Sequence, residues 1–281
     1  MMNVESSTTG FGDMLRHWRT RRGRTQFELS QHAGFSQRHL SFLESGRSKP
    51  SRSTVVILAD ALEVPVGERN GLLQSAGFAP LYSAEPLDSA RLSYAISALE
   101  AVIESHQPFP ALIVDRGWNM LQANSSALML FHRFLPLPLE LAPDKPLNVM
   151  RMCIEPGGLR GSIANWPSFA AAFLPQLKAE QLHTPNAVVQ DIIEKIETDP
   201  EYQQRGREAA SAVRTPVATL QLEHGGLKIE LFTLLSMFGS PNDASLSELR
   251  VETFFPANEA SRELLLSFDA QVRGKAELVA G

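Results

Sequence analysis

The stretch TQFELSQHAGFSQRHLSFLESGRSKP, residues 25–50, constrains the fold more than any other part of the chain. It predicts two short helices around a tight turn. Thr25 and Glu28 have the spacing of a capping box, in which each side chain satisfies the other residue's main-chain amide. Gly34 ends the first helix, because glycine takes a left-handed conformation without a Cβ clash. Ser36 is placed to cap the second helix.

The apolar residues of this stretch fall on the inner faces of the two helices. Leu29 belongs to the first helix, and Leu40 and Leu43 belong to the second. The second helix turns a polar face outward, formed by Gln37, Arg38 and Ser41. This is the layout of a helix-turn-helix, whose second helix lies in the major groove of DNA. The alternative is an ordinary pair of packed helices.

Three more amphipathic patterns complete the domain. The first is a one-sided stripe of Phe11, Leu15 and Trp18. The second has the i, i+3, i+4, i+7 spacing in Val55, Leu58, Ala59 and Leu62. The third ends in Leu72, Leu73 and Ala76. The sequence therefore predicts an all-α domain of five helices over residues 1–77, with the helix-turn-helix second and third.

The pattern T-Q-x-x-L-x-x-x-A-G-x-S-x-x-x-L-S-x-L-E-x-G-R-x-x-P-S, from Thr25 to Ser51, resembles the phage-repressor (Xre/Cro) family of transcription regulators. The longer stretch HLSFLESGRSKPSRSTVVILADALEVPVGERNGLLQSAGFAPLY, residues 39–82, resembles the MmyB-like branch. That branch joins the domain to a C-terminal ligand-binding domain. The resemblance implies a lambda-repressor-like fold and sequence-specific binding of double-stranded DNA.

The resemblance also assigns DNA-binding roles to individual residues. It places Gln37, Arg38 and Phe42 toward the groove, beside Ser41. Glutamine can bond an adenine edge and arginine a guanine edge, each worth about 1–3 kcal/mol of discrimination. The phosphate contacts it implies come from Gln26, Ser36, Arg47, Lys49 and Arg52.

Two features of this surface leave alternatives open. Phe42 departs from the family, where a polar or basic residue is common. It either touches a thymine methyl or packs under Leu43 without reading sequence. The arginine cluster at 19–24 either contacts phosphate or solvates the end of a helix.

The length of 281 residues and the distribution of charge favour two domains. Residues 1–77 carry ten Lys+Arg against seven Asp+Glu, whereas the remainder carries 16 against 24. A basic N-terminal domain followed by an acidic remainder indicates that only the N-terminal domain binds a polyanionic partner. Cys153 is the only cysteine, and the chain has neither the pattern of a signal peptide nor a membrane-spanning run. We expect a cytoplasmic protein.

The second half predicts an α+β domain with one antiparallel sheet, over residues 88–281 after a linker at 78–87. Two strands are expected near 110–115 and 118–123, and three more at 216–223, 227–238 and 247–255, with helices between and a last helix ending near Val272. This order is that of a PAS-like sensor domain.

Several stretches of this domain resemble the MmyB-like ligand-binding domain. They are PALIVDRGWNMLQAN, LNVMRM, LRGSIANW, KIELFTLLSMFGSP and LRVETFFP. The resemblance implies a small apolar ligand, a fatty acyl compound such as a fatty acid. No other cofactor is implied.

A pocket for such a ligand needs apolar walls and few polar anchors. The candidate walls are Trp118, Phe131, Trp166, Phe169, Phe173, Phe232 and Phe254. Core packing is the alternative for each of them. Arg151 and Arg250 are the candidate partners of an acidic ligand, since arginine forms a bidentate fork with a carboxylate. The alternative for both is an internal salt bridge with Glu252 or Asp115.

Enzymatic functions find little support in the sequence. The seven histidines lack metal-binding spacing, and neither a phosphate loop nor a nucleophile elbow occurs. A haem sensor using His106, His132 or His183 is an alternative. We expect a regulator that acts as a homodimer on a palindrome and whose operator affinity depends on the ligand. The rival is a DNA-bound scaffold whose second domain only dimerises or holds a protein partner.

Overall fold

The computed structural model describes residues 10–136, 147–183, 186–212, 217–239 and 243–280. The chain divides into two compact units. The first takes in the chain up to Ser89, together with Leu182–Thr184 and Gly239–Ser247. The second consists of Ala90–Gln181, Pro185–Phe238 and Glu248–Gly281.

The first unit confirms the predicted run of five helices. They are α1 (Phe11–Arg21), α2 (Gln26–Ala33), α3 (Gln37–Glu44), α4 (Arg52–Ala61) and α5 (Val66–Ser75). Their apolar stripes meet in one core, which includes Leu15, Trp18, Leu29, Leu40, Leu43, Leu58 and Leu62. Burial of these stripes is the main term that holds short helices together, because helices of this length are marginal alone.

Local capping interactions determine where the two helices of the helix-turn-helix begin and end. The Thr25 hydroxyl accepts from the Glu28 amide at 3.2 Å, and the Glu28 carboxylate accepts from the Thr25 amide at 2.7 Å. Gly34 has a left-handed φ of 74°, and the Ser36 hydroxyl accepts from the His39 amide at 3.1 Å. The capping box, the turn glycine and the second cap are therefore confirmed.

Helix α1 passes very close to the end of α3, at Gly12. A Cβ atom at Gly12 would lie 2.6 Å from the carbonyl oxygen of Glu44 and 2.7 Å from that of Leu43. Both neighbours are main-chain atoms and cannot rotate away. The approach of the two helices therefore requires glycine at this position.

The second unit confirms the predicted α+β fold. Its strands are β1 (Ala111–Val114), β2 (Met120–Ala123), β3 (Leu220–His224), β4 (Leu227–Met237) and β5 (Arg250–Pro256). They form one antiparallel sheet in the order β2-β1-β5-β4-β3. The turn between β3 and β4 contains Gly225 and Gly226, both with positive φ, as the hairpin requires.

Helices cover both faces of this sheet. They are α6 (Ser93–Ser105), α7 (Ser125–Phe134), α8 (Val149–Ile154), α9 (Trp166–His183), α10 (Ala187–Thr198), α11 (Pro200–Ala212) and α13 (Glu259–Ala280), with a short 3-10 helix at Leu159–Ser162. The inner face carries Leu112, Leu231 and Phe254 into the main core. On the outer face the His106 ring, just after α6, lies 4.8 Å from the ring of Phe255.

The structure corrects two local predictions and adds one element that the sequence did not predict. Trp118 does not begin β2. It lies in a turn with φ 66°, where its main-chain N–H donates a hydrogen bond to the Asp115 carbonyl at 3.0 Å. Helix α13 continues to Ala280 rather than ending near Val272. A short helix, α12 (Ala244–Ser247), precedes β5 and was not predicted, because its one turn has no periodic pattern to reveal it.

Candidate DNA interface and effector cavity

The outward face of α3 carries the residues predicted to read DNA. Gln37 and Arg38 are exposed, whereas Ser41 and Phe42 are half-buried. The Arg38 guanidinium lies 5.3 Å from the centre of the Phe42 ring, one helical turn away. Phe42 therefore packs against the arginine side chain, a contact that neither of the two sequence alternatives named. Arg38 is held over an aromatic face and keeps its donors available.

The residues predicted to hold phosphate differ in how free they are. Arg47, Lys49 and Ser36 are exposed at the ends of the helix-turn-helix, and Arg52, also exposed, donates to the carbonyls of Ala79 at 3.3 Å and Pro80 at 3.5 Å. The Gln26 amide instead donates to the Glu44 carboxylate at 2.8 Å. The oxygen of Ser36 is used in its cap, but its hydroxyl proton can still be donated.

Glu44 is a buried carboxylate at the end of the recognition helix. Burial by itself raises its pKa, but hydrogen bonds from Arg19 and Gln26 and the charges of Arg19 and Arg16 outweigh burial, so that the pKa is lower than usual. The carboxylate stays ionised and joins α1, α2 and α3. Sequence reasoning missed this role.

Two arginines of the 19–24 cluster, Arg22 and Arg24, donate hydrogen bonds to main-chain carbonyls of the same unit. Arg22 donates to the carbonyls of Leu62 and Glu63, both at 2.7 Å. Arg24 donates to the carbonyl of Ala61 at 2.9 Å. Because carbonyls at the end of a helix lack partners within it, these arginines complete the end of α4. The structure thus adds a third role to the two alternatives.

The second unit contains a cavity of about 200 Å³ between the sheet and helices α8 and α9. Apolar side chains supply most of its wall, from Val149 and Met150 on α8 to Leu220 and Leu231 on the sheet. Its polar side chains are Gln176, Thr233 and Glu252. The arrangement has the apolar wall and few polar groups that are typical of small-molecule sites.

Four of the predicted wall residues border this cavity. They are Phe169, Phe173, Phe232 and Phe254. The rings of Phe169 and Phe173 stack at 6.0 Å. Phe232 is different, because its ring stacks on Phe255 at 5.4 Å and the strand register places both on the outer face. The main chain of Phe232, rather than its ring, therefore meets the cavity.

The other predicted wall residues lie in the surrounding core. Phe131 is buried, and Trp118 packs edge-on against Phe173 with ring centres 5.3 Å apart. Trp166 is buried under the Arg160 guanidinium, and its indole N–H donates to Asp199 at 3.0 Å. None of the three borders the cavity itself.

The two candidate anchor arginines are engaged with carboxylates of the protein. Arg151 donates to Asp191 at 2.9 Å, and Arg250 donates to Glu180 at 2.8 Å. Arg250 also lies 5.5 Å from the centre of the Trp118 ring. These partners are not the Glu252 and Asp115 named in the sequence analysis, since pairs between elements that are distant in the chain cannot be read from spacing.

Glu252 is a cavity residue that sequence reasoning assigned only as a salt-bridge partner. Burial raises the pKa of its carboxyl to about 7, and a hydrogen bond with Thr233 partly opposes the shift. Its alternation with Phe254 along β5 was the available signal. Cys153 nearby is buried, and burial together with the charge of Glu252 raises its thiol pKa to about 12. It therefore stays protonated and lacks the thiolate that a nucleophile requires.

The histidines proposed as haem ligands are dispersed. The His106 ring bonds the Phe254 carbonyl at 3.0 Å, His132 is exposed, and the side chain of His183 lies outside the described residues. Among the described residues, no three His, Cys, Asp or Glu side chains form a group suited to a metal ion. Over the same residues, no helix is long and apolar enough to cross a membrane.

Comparison with known families gives two matches. A family described as "MmyB-like transcription regulator ligand binding domain" matches residues 96–267, which is more than half of the chain. A family described as "Helix-turn-helix domain" matches residues 11–72. The first range contains the cavity and the second contains all of α1 to α4. Comparison with curated proteins found no match.

Proposed function

The chain belongs to the MmyB-like transcription regulator family, and we propose that its cavity binds a small apolar effector that modulates operator binding by the helix-turn-helix. The candidate effector class is a fatty acyl compound. The observation that carries this proposal is the cavity of about 200 Å³, bordered mostly by apolar side chains. Because pockets for drug-sized ligands usually measure roughly 300–1,000 Å³, the proposed acyl chain is short or medium in length.

The DNA side of the proposal is an Xre/Cro-type interface. Gln37 would bond an adenine and Arg38 a guanine, with Phe42 and Ser41 beside them in the major groove. The exposed phosphate contacts would come from Ser36, Arg47, Lys49 and Arg52. Since one recognition helix reads few base pairs, we propose a homodimer on half-sites about one helical turn apart. Because the proposed target is DNA, we propose that the protein acts in the cytoplasm.

Coupling requires that the effector favour one arrangement of the protein over another, because equal affinity for both would shift nothing. Strands β4 and β5 border the cavity, and the connection between them belongs to the first unit. In that connection the Asp243 carboxylate accepts from the Ser83 hydroxyl at 2.7 Å, and the Ala244 amide donates to the Ser83 carbonyl at 2.7 Å. We propose this connection as the path of coupling.

Native mass spectrometry of the purified chain, followed by organic extraction, tests the proposal. An acyl compound bound in stoichiometric amount would support the sensor and give its ligand class. A chain free of small molecules that also takes up no added acyl compound would overturn it in favour of the scaffold. The same spectrum reports whether the chain is a dimer.

A further inference from the structure

The wall of the cavity contains a carboxyl group, that of Glu252. Glu252 borders it with only 8% of its surface exposed, on the same face of β5 as Phe254. Gln176 and Thr233 are its polar neighbours in the wall, and no Lys, Arg or His is among the described residues that border the cavity. Within the described part of the wall, the acidic side chain that an effector would meet is that of Glu252.

The two arginines considered as anchors, Arg250 and Arg151, are paired with carboxylates other than Glu252. Arg250 precedes it on the same face of β5, but its guanidinium is paired with Glu180 and lies over the Trp118 ring. Arg151 follows the wall residue Met150 and is paired with Asp191. Their charges are thus already matched by other carboxylates.

Thr233 lies on the same face of the sheet as Glu252, and its hydroxyl partly offsets the effect of burial on the pKa of that carboxyl. A carboxyl group has two oxygens and about four acceptor positions, so one threonine leaves capacity unused. A buried carboxyl is stabilised when a donor fills a vacant acceptor position. A second ionised group of the same charge beside it is disfavoured. The open side of Glu252 therefore suits a donor and opposes an anion.

We infer that the polar end of the effector is an uncharged hydrogen-bond donor, a hydroxyl or a primary amide, that bonds Glu252, and that the cavity disfavours an ionised carboxylate. This inference rests on the proposed function, since it names the head group of the same apolar effector. Among fatty acyl compounds it selects amides over ionised acids of equal chain length, and it extends the apolar effector class to the corresponding alcohols.

Three probes of one chain length test this choice on the full-length protein. Decan-1-ol, decanamide and sodium decanoate are titrated at pH 7.5 by calorimetry. One hydrogen bond and one avoided charge repulsion correspond to about a tenfold difference in Kd. We expect the alcohol and the amide to bind at least about tenfold more tightly than decanoate. This ordering needs no variant.

Glu252→Gln supplies the second arm of the test. Glutamine keeps the shape and the hydrogen-bonding capacity of the side chain but cannot ionise. The affinity for decanoate should therefore rise, and the three Kd values should converge. Glu223→Gln is the matched control, since the side chain of Glu223 on β3 is exposed and pairs with Lys228. The control should keep the wild-type ordering.

The outcomes separate this inference from the proposed function. Tightest binding of decanoate by the wild-type protein, equal binding of all three probes, or an unchanged ordering in Glu252→Gln would overturn the head-group assignment while leaving an apolar effector in place. Failure of every probe to bind would overturn both.

Discussion

The Nε atom of Arg19 donates to Oε1 of Glu44 at 2.5 Å, and the Glu44 side chain is fully buried. This pair joins the last turn of α1 to the last turn of the recognition helix. A second bond runs from Arg19 Nη2 to Oε2 at 3.0 Å, so the pair is bidentate. The orientation of the helix predicted to read DNA thus depends on a contact with the first helix of the unit.

Glu44→Ala should destabilise the first unit by about 3 kcal/mol, because removing one member of a buried ion pair leaves the other charge uncompensated. The control is Glu259→Ala, whose partner Arg262 forms an exposed pair on α13. Calorimetric unfolding should show a large loss for the first variant and little change for the second. Equal effects would mean that the Arg19–Glu44 pair does not hold the unit.

Gly12→Ala should also destabilise the first unit, although alanine normally favours helices by about 1 kcal/mol. The added Cβ would meet two carbonyl oxygens of α3 at 2.6 and 2.7 Å, and overpacking of this kind typically costs about 1–3 kcal/mol. Gly10→Ala is the matched control, because its nearest neighbour would be 3.9 Å away. A Gly12→Ala protein as stable as the control would contradict the close crossing.

Arg38→Ala should relax base preference, with a loss of about 1–3 kcal/mol confined to the base that the arginine reads. Lys49→Ala should instead weaken binding evenly and reduce the slope of log K against log salt by about 1. Binding to a randomised duplex pool at two salt concentrations distinguishes the two effects. Equal losses across all sequences in both variants would contradict these roles.

Glu252 should make the stability of the second unit depend on pH. Its folded pKa of about 7 lies above its ordinary value of 4.5, so its contribution is fully present below pH 4.5 and is lost as pH rises through 7. At about 1.4 kcal/mol per pH unit, the change is on the order of 3 kcal/mol. The neighbouring Cys153 thiol, with a pKa of about 12, does not titrate in this range.

Urea unfolding of the wild-type protein and Glu252→Gln between pH 4.5 and 8 measures this dependence. Fluorescence of Trp118 and Trp166 reports the second unit, in a background where Trp18 is replaced by phenylalanine. The variant should lose the decline with pH that the wild-type protein shows. A decline that persists in Glu252→Gln would assign it to another group.

The helix-turn-helix was predictable from sequence because its determinants are local. Thr25, Glu28, Gly34 and Ser36 act within a few residues of one another, and the structure places each as the spacing indicates. The five strands followed from alternation and the β3–β4 hairpin from the Gly225–Gly226 turn, whereas the order of the strands in the sheet was not predicted. Trp118 was misplaced because its positive φ depends on a turn that no apolar pattern marks.

The cavity was harder to predict because it depends on long-range packing. Alternation places Phe254 and Glu252 on the inner face, but it does not reveal which side chains leave space between them. The sequence made Arg151 and Arg250 candidates for binding an acidic ligand. In the structure they form ion pairs with Asp191 and Glu180, each on a helix distant in the chain. Burial of Glu252 likewise requires the whole sheet and helices to be assembled.

The most direct test of the account is the effect of cavity occupancy on DNA affinity. A duplex selected from a randomised pool serves as the operator, and its Kd is measured with and without saturating decan-1-ol. We predict a change in Kd of about 5- to 150-fold, the usual range of coupling between two sites. An unchanged Kd, with calorimetry showing that the alcohol is bound, would contradict the claim that the second unit regulates the first.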